Sequence, residues 1–525
     1  MRQMFLILFF LTASVFSQEP YFINDQKTLA KKTFDIMIQK PDVFTRVSQQ
    51  YWGLNLGEIV HFDYPGNYMH ENVHRQIAIF KTETARFQGS TLANFFNWDT
   101  MTIDEEMIDK IDSEGARRHR QKQYDMCGGI VKIDINSFFA LSKQYNLRKI
   151  ICLNVYTRDA DYSIKHIKKI KENHKEPVFW EMGNEVSYYG YRMGTEGQTR
   201  PGGWNVEQYI EIIQKICEFI NKNYPEDESG VCITEPFNER NLFNLPQAKK
   251  DELESWDKRL AKETFYNACI AHPYLHFQNS ENIKNYIFDR DFSGIEENDE
   301  VYFWAKYAFH FAAVQELPSV YLERQNRLFA GKKLWLTEVG MEPKGKNAGP
   351  YPSHTMMNAL FNLSYFISWF KYFPVVSIYQ FFMFGNGDGW PHSIYQDFTF
   401  NPSTISYILL TRAWENIDSA QVLVFNNGPE YRGVGRYQET RIKALSGIYF
   451  VTKSGKEKIL LVNTCAAAVK LNFPFESADV LYVSKPAGEE IPKGKITDIM
   501  QIAQSASVKQ NWTMPGYCIA LITQK

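Results

Sequence analysis

The sequence predicts an α/β protein, a (β/α)8 TIM barrel followed by an all-β sandwich. Three observations predict it. Near-continuous apolar runs of strand length recur eight times between residues 51 and 385, the pattern of parallel strands buried on both faces. Long stretches with helical spacing separate them, and strand-helix alternation repeated eight times argues for a closed barrel. Beyond about residue 405 the rhythm changes to short alternating strands divided by turn residues.

The eight runs are YWGLNLG (51–57), ARFQGST (85–91), KIICLNVYTRD (149–159), VFWEMGNE (178–185), SGVCITEPFN (229–238), NACIAHPYLH (267–276), KLWLTEVG (333–340) and VVSIYQFFMFG (375–385). Each ends in polar residues or glycine. Between the fourth and fifth, Ile210, Ile213, Ile216 and Ile220 recur at three- and four-residue steps, one face of an amphipathic helix. Residues 301–329 carry a similar pattern, expected to break at Pro318. The later strands are SGIYFVTK, KEKILLVNTC, AAVKLNFP, ADVLYVSK and GYCIALITQ. Residues 18–49 form an N-terminal segment that could add to the sandwich, 50–404 the barrel and 405–525 the sandwich.

The first 17 residues read as a cleaved secretory signal: Arg2, a short apolar run from Met4 to Leu11, then small residues before Gln18. A secreted or periplasmic location is the expectation. No later run has the 18 apolar residues of a membrane span. With 58 basic and 60 acidic residues the formal charge is −2, and nothing resembles the basic patch that holds nucleic acid. The densest basic run, Arg117 to Lys122, reads as a solvated helix face. The seven cysteines are odd in number, so at least one is unpaired, and Cys152, Cys232 and Cys269 sit in apolar runs as core thiols. No Cys/His spacing suggests a metal, and no cofactor is expected. Aromatic residues reach 15% of the chain, which suits a large core and also a cleft where rings stack on sugars. Trp98, Trp180, Trp204 and Trp390 are candidate platforms, with packing the commoner role for each. Trp390 stands out because the loop GNGDGWPHS lies just beyond the eighth strand.

In such a barrel the strand C-termini face the active site. Standing there are Arg86, Asn184 and Glu185, Glu235, His272 and Tyr274, Glu338, and Gln380 with its following loop. Two carboxylates on facing strands suit hydrolysis of a glycosidic bond, one donating a proton and the other attacking the anomeric carbon or activating water. The fourth and seventh strands lie across the mouth from each other, so Glu185 and Glu338 can meet. Glu235 could replace Glu338, bind a sugar hydroxyl or pair with a base. His272 reads equally as a wall residue or a substrate ligand. Glu181 reads as structural, tying the fourth strand to a neighbour.

WEMGNE (180–185) resembles the fourth-strand motif of glycoside hydrolase clan A, and LWLTEVG (334–340) resembles its seventh-strand nucleophile motif. ARFQGSTLANFFNW (85–98) resembles the second-strand segment of the heparanase, β-glucuronidase and α-L-arabinofuranosidase-like members, which also carry a C-terminal β-sandwich. The resemblance implies a secreted retaining glycosidase acting on a carbohydrate. It makes Glu185 the acid/base, with the higher pKa of the two, and Glu338 the nucleophile. Asn184 would bond the sugar 2-hydroxyl, Tyr274 would donate to Glu338, and Arg86 would lie beneath Glu338 and favour its charge. One departure stands out: Gln88-Gly89-Ser90 occupies the place of a usual Pro-Gly-Gly. A glycan-binding protein without catalysis, and a transglycosylase, are the competing readings; a binder has no need of both carboxylates.

Overall fold

The computed structural model describes residues 21–47, 51–56, 67–111, 114–187, 204–234, 247–277, 300–343, 354–382, 399–434, 439–492, 494 and 500–525. The signal-like segment, Glu235 and Trp390 lie outside them.

Eight parallel strands close into a barrel in chain order: β1 Trp52–Asn55, β2 Thr84–Phe87, β3 Arg148–Cys152, β4 Val178–Met182, β5 Glu228–Cys232, β6 Ala268–Ala271, β7 Lys333–Val339 and β8 Val376–Phe382. Each falls within or against the apolar run that predicts it. The runs are apolar throughout because one set of side chains packs on the outer helices and the alternate set fills the barrel. The inner set includes Ile150, Phe179, Ala268, Ile270, Trp335 and Ile378, a separate buried cluster. Gly230 makes room for it, since a Cβ there would lie 2.6 Å from the Trp335 ring. This apolar cluster plugs the lower part of the barrel.

The outer helices follow the expected spacing. Helix Val206–Asn223 buries Ile210, Ile213, Ile216 and Ile220 along one face. The expected break at Pro318 does not occur, and one helix runs Glu300–Leu328 with the proline inside. Leu317, Tyr321 and Leu322 on both sides of the proline are buried, and that packing outweighs the lost hydrogen bond. Below the site, Asp227 accepts from Lys171 Nζ (2.8 Å), the Val178 N–H (3.1 Å) and Trp180 Nε1 (2.9 Å), which anchors the start of β4.

The later strands form a seven-stranded sheet, mainly antiparallel partners from Ile417–Leu423 to Cys518–Gln524, and a three-stranded sheet. Two N-terminal pieces join them: Thr33–Met37 pairs in parallel with Ala468–Asn472, and Thr45–Arg46 pairs with Ser419 and Ala420. Tyr449, Ile459, Leu461, Val469, Leu471 and Ile522 share the core between the sheets. The alternate residues Ile448, Phe450, Leu460 and Ile519 face the other way and belong to the barrel's core. Period-two alternation thus gives one sheet two buried faces. All seven cysteines are free thiols. Among the described residues no helix is long and apolar enough to cross a membrane.

Candidate active site

The upper end of the barrel is organised around one buried cation. Arg86, the third residue of β2, is fully buried. Its Nε donates to Oε2 of Glu181 on β4 (2.8 Å). Its Nη2 lies 2.6 Å from the same oxygen and donates to Oδ1 of Asn184 (2.9 Å). Its Nη1 donates to Oε1 of Glu338 on β7. Burial works against the guanidinium charge, but the Glu181 and Glu338 carboxylates outweigh it and hold the cation. The chain then turns tightly over the guanidinium. Gln88 and Ser90 both have positive φ, and the Ser90 N–H donates to Oε1 of Glu338 (3.2 Å).

The fourth strand leaves the barrel through Gly183, with φ of 87°. A Cβ there would meet Val186 at 2.5 Å and Val155 at 3.0 Å, so glycine is required for both conformation and space. Asn184 follows, clamped by Asn94: the Asn184 N–H donates to Asn94 Oδ1 (3.0 Å) and Asn94 Nδ2 donates to the Asn184 carbonyl (2.6 Å). With Oδ1 facing Arg86, the Asn184 NH2 is the group left to donate to a ligand. Glu185 comes next in a left-handed conformation, φ 50°. Trp204 Nε1 donates to the Val186 carbonyl (2.8 Å) and fixes the chain just beyond.

Glu338 comes from the end of β7. Oε2 accepts from the Tyr274 hydroxyl (2.8 Å), and that ring is set by a short turn, Tyr274 N–H to His272 carbonyl (2.7 Å), propped by Tyr365 Oη on the Pro273 carbonyl (3.0 Å). Burial alone would raise the Glu338 pKa. His272, the Arg86 charge, and hydrogen bonds from Tyr274 and Arg86 outweigh it and bring the carboxyl down to about 2. His272 is buried between the two acids: Nδ1 is 2.9 Å from Glu185 Oε1 and 3.9 Å from Glu338 Oε2, and Nε2 is 3.0 Å from Thr337 Oγ1.

The two carboxylates differ in exposure. The Glu185 side chain is 27% exposed and that of Glu338 6%. One can exchange protons with solvent, and the other stays dry and charged. Single atoms of Glu185, His272 and Glu338 all lie within 4.8 Å of one another. The trio could offer three atoms to a metal, but Glu338 already receives Arg86, Ser90 and Tyr274, and a second cation beside the guanidinium would be repelled. Thiol chemistry is disfavoured as well, because burial pushes Cys232 up to about 12 while its Sγ donates to the Gly183 carbonyl (3.0 Å).

Of the sequence-predicted residues, Arg86, Asn184, Glu185, His272, Tyr274 and Glu338 converge here, and Glu181 ties β4 to β2. Glu235 and Trp390 lie outside the described residues. Gln380 is buried and donates to Thr84, beneath the site. Trp98, Trp180 and Trp204 are no more than 5% exposed, so they pack the core and offer no platform. Sequence reasoning gives no role to Asn94 or Thr337, and marks Ser90 only as a departure from Pro-Gly-Gly. Asn94 and Ser90 lie in the segment 85–98 whose pattern drew attention; Thr337 had no signal beyond preceding Glu338.

No protein-family model matches the chain, and no curated protein does. Solved structures do match it in fold. The chain is 12% identical to the α-L-arabinofuranosidase of Thermotoga maritima solved with arabinose, at a TM-score of 0.61 over 94% of this chain and 99% of that one. For the family 51 α-L-arabinofuranosidase of Bifidobacterium longum the values are 12%, 0.62, 91% and 97%. For the 4-O-α-L-rhamnosyl-β-D-glucuronidase of Fusarium oxysporum they are 12%, 0.56, 94% and 100%. Barrel and β-sheets together are therefore the architecture of family 51 arabinofuranosidases and other clan A glycoside hydrolases.

Proposed function

We propose that the protein is a secreted retaining glycoside hydrolase. The observation that carries this is the carboxylate pair: an open Glu185 and a buried, ionised Glu338, within 4.8 Å at the barrel mouth. Retaining enzymes hold their carboxyls about 5–5.5 Å apart, and inverting ones about 6.5–9.5 Å, to admit a water. Oε2 of Glu338 lies 3.9 Å from the His272 Nδ1 that also meets Glu185, and we assign it as the attacking oxygen. Its lone pair forms the bond to the anomeric carbon as the bond to the leaving oxygen breaks, and Glu185 gives that oxygen its proton. Water then loses a proton to Glu185 and attacks the same carbon, and the bonding pair returns to Glu338. The NH2 of Asn184 donates to the 2-hydroxyl. Secretion rests on the pattern of residues 1–17.

The test is a panel of mechanism-based inactivators and aryl glycosides carrying different sugars, α-L-arabinofuranoside and β-D-glucuronide among them, since solved proteins of this fold act on both. One covalent adduct by intact mass, absent from Glu338→Gln, is expected and names the sugar. An adduct that survives in Glu338→Gln moves the nucleophile elsewhere, with Glu235 next. Glu185→Ala is expected to slow glycosides with poor leaving groups by about 10²–10⁴-fold and activated aryl glycosides far less. Equal losses across a leaving-group series would remove Glu185 from the role of acid.

A further inference from the structure

Ser90 has a backbone conformation that serine avoids. Its φ of 66° and ψ of 178° lie in a region essentially reserved for glycine, because a Cβ is crowded there. The turn it ends is forced down on Arg86. At Gly89 a Cβ would sit 2.4 Å from Nη1 of Arg86 and 2.9 Å from Oδ1 of Asn55. This close approach delivers the Ser90 N–H to Oε1 of Glu338 at 3.2 Å. A glycine at position 90 would deliver the same N–H without the strain, so the side chain has to be explained by its own atoms.

The hydroxyl has little to do within the protein. Its oxygen accepts from the Leu92 N–H at 3.4 Å, a long bond that caps the short helix Thr91–Phe95. That uses a lone pair and leaves the hydroxyl proton, for which no acceptor stands among the described residues. Ala85 to Gly89 are buried, and Ser90, whose N–H meets Glu338, is the first residue of the turn to be partly exposed. A strained residue with a free donor, one peptide group from the proposed nucleophile, is placed to touch whatever sits on that nucleophile.

We infer that Ser90 Oγ is a substrate ligand, donating a hydrogen bond to a ring hydroxyl of the sugar seated on Glu338 and so selecting among sugars. The inference rests on the glycosidase reading and adds to it a specificity residue. It accounts for a serine where the related motif has glycine.

The test pairs Ser90→Gly with Ser90→Ala in the full-length mature enzyme. Both lack the hydroxyl, but only glycine relieves the backbone. Both are expected to lose roughly tenfold in kcat/KM on the aryl glycoside that the panel selects. Ser90→Gly is expected to melt at or above wild type, by roughly 1–3 °C, and Ser90→Ala below it. A less active but more stable Ser90→Gly is not what a merely structural residue produces. Monodeoxy versions of the same glycoside locate the partner: for one of them wild type falls to the level of the variants, which lose nothing further. Wild-type kcat/KM in both variants would overturn the inference, as would an equal handicap of the variants on every deoxy sugar, which would place the effect on Glu338 instead. A wild-type protein with neither turnover nor adduct on any sugar would overturn the glycosidase reading first, and this one with it.

Discussion

Glu338→Ala is expected to lower turnover by at least about 10⁴-fold and to leave the fold intact. The loss follows from the proposed role of Glu338 as nucleophile, a buried and ionised carboxylate within 4.8 Å of that of Glu185. The intact fold follows from charge counting around Arg86. In the native site one guanidinium faces two carboxylates, Glu181 and Glu338. Removing Glu338 leaves a balanced pair, Arg86 with Glu181, so no buried charge is stranded. Urea denaturation should therefore give a midpoint near or above wild type. The truncation also leaves a space beside the anomeric carbon, and azide or formate should enter it and restore part of the turnover on an activated aryl glycoside. The rescued product should have the inverted configuration, since a single displacement replaces two. Rescue with retention, or full activity without added anion, would sink the assignment of Glu338.

The same counting explains how much of the site could be read from the chain. The eight barrel strands are legible because burial on both faces leaves no polar alternation, and each apolar run ends where a strand meets the cleft. The acids are legible because Asn184-Glu185 and Glu338 interrupt those runs at their ends. Their partners are another matter. Arg86 reaches Glu181 across 95 residues and Glu338 across 252, contacts that exist only when the barrel closes. The excess of aromatics suits a sugar cleft as well as a large core, with packing the commoner role, and Trp98, Trp180 and Trp204 are buried in the core. Ser90 is legible only as a departure from a motif, and Asn94 not at all, because their parts depend on positive φ and on a reciprocal amide clamp, neither of which a side-chain pattern encodes. Pro318 misled because propensity is local, and a helix gripped by Leu317, Tyr321 and Leu322 tolerates what an isolated helix would not.

Arg86→Met gives the opposite outcome to Glu338→Ala, a loss of stability together with a loss of activity. The methionine fills similar volume but leaves Glu181 and Glu338 buried together with no guanidinium. Breaking a buried ion cluster from one side costs about 3–5 kcal/mol. Adding Glu181→Gln should recover part of that, because one of the stranded charges is gone, and a double-mutant cycle in urea measures the recovery. The pH dependence carries the sign. In wild type Glu338 is held at about 2, below its ordinary 4.5, so its contribution is fully present above pH 4.5 and is lost as pH falls toward 2. Without Arg86 the charge and one hydrogen bond that lower the Glu338 pKa are removed, while burial still raises it. Once its folded pKa exceeds the unfolded value the linkage reverses, and stability gained at low pH is lost as pH rises through the new pKa. Wild type should thus lose stability on acidification below pH 4.5, where Arg86→Met gains it relative to neutral pH. The acid limb of kcat/KM should move upward in the same variant, because the nucleophile must be ionised to attack. Parallel acid dependence in the two proteins would mean that His272 and Tyr274 hold the charge of Glu338 by themselves, and that Arg86 serves the barrel rather than the carboxylate.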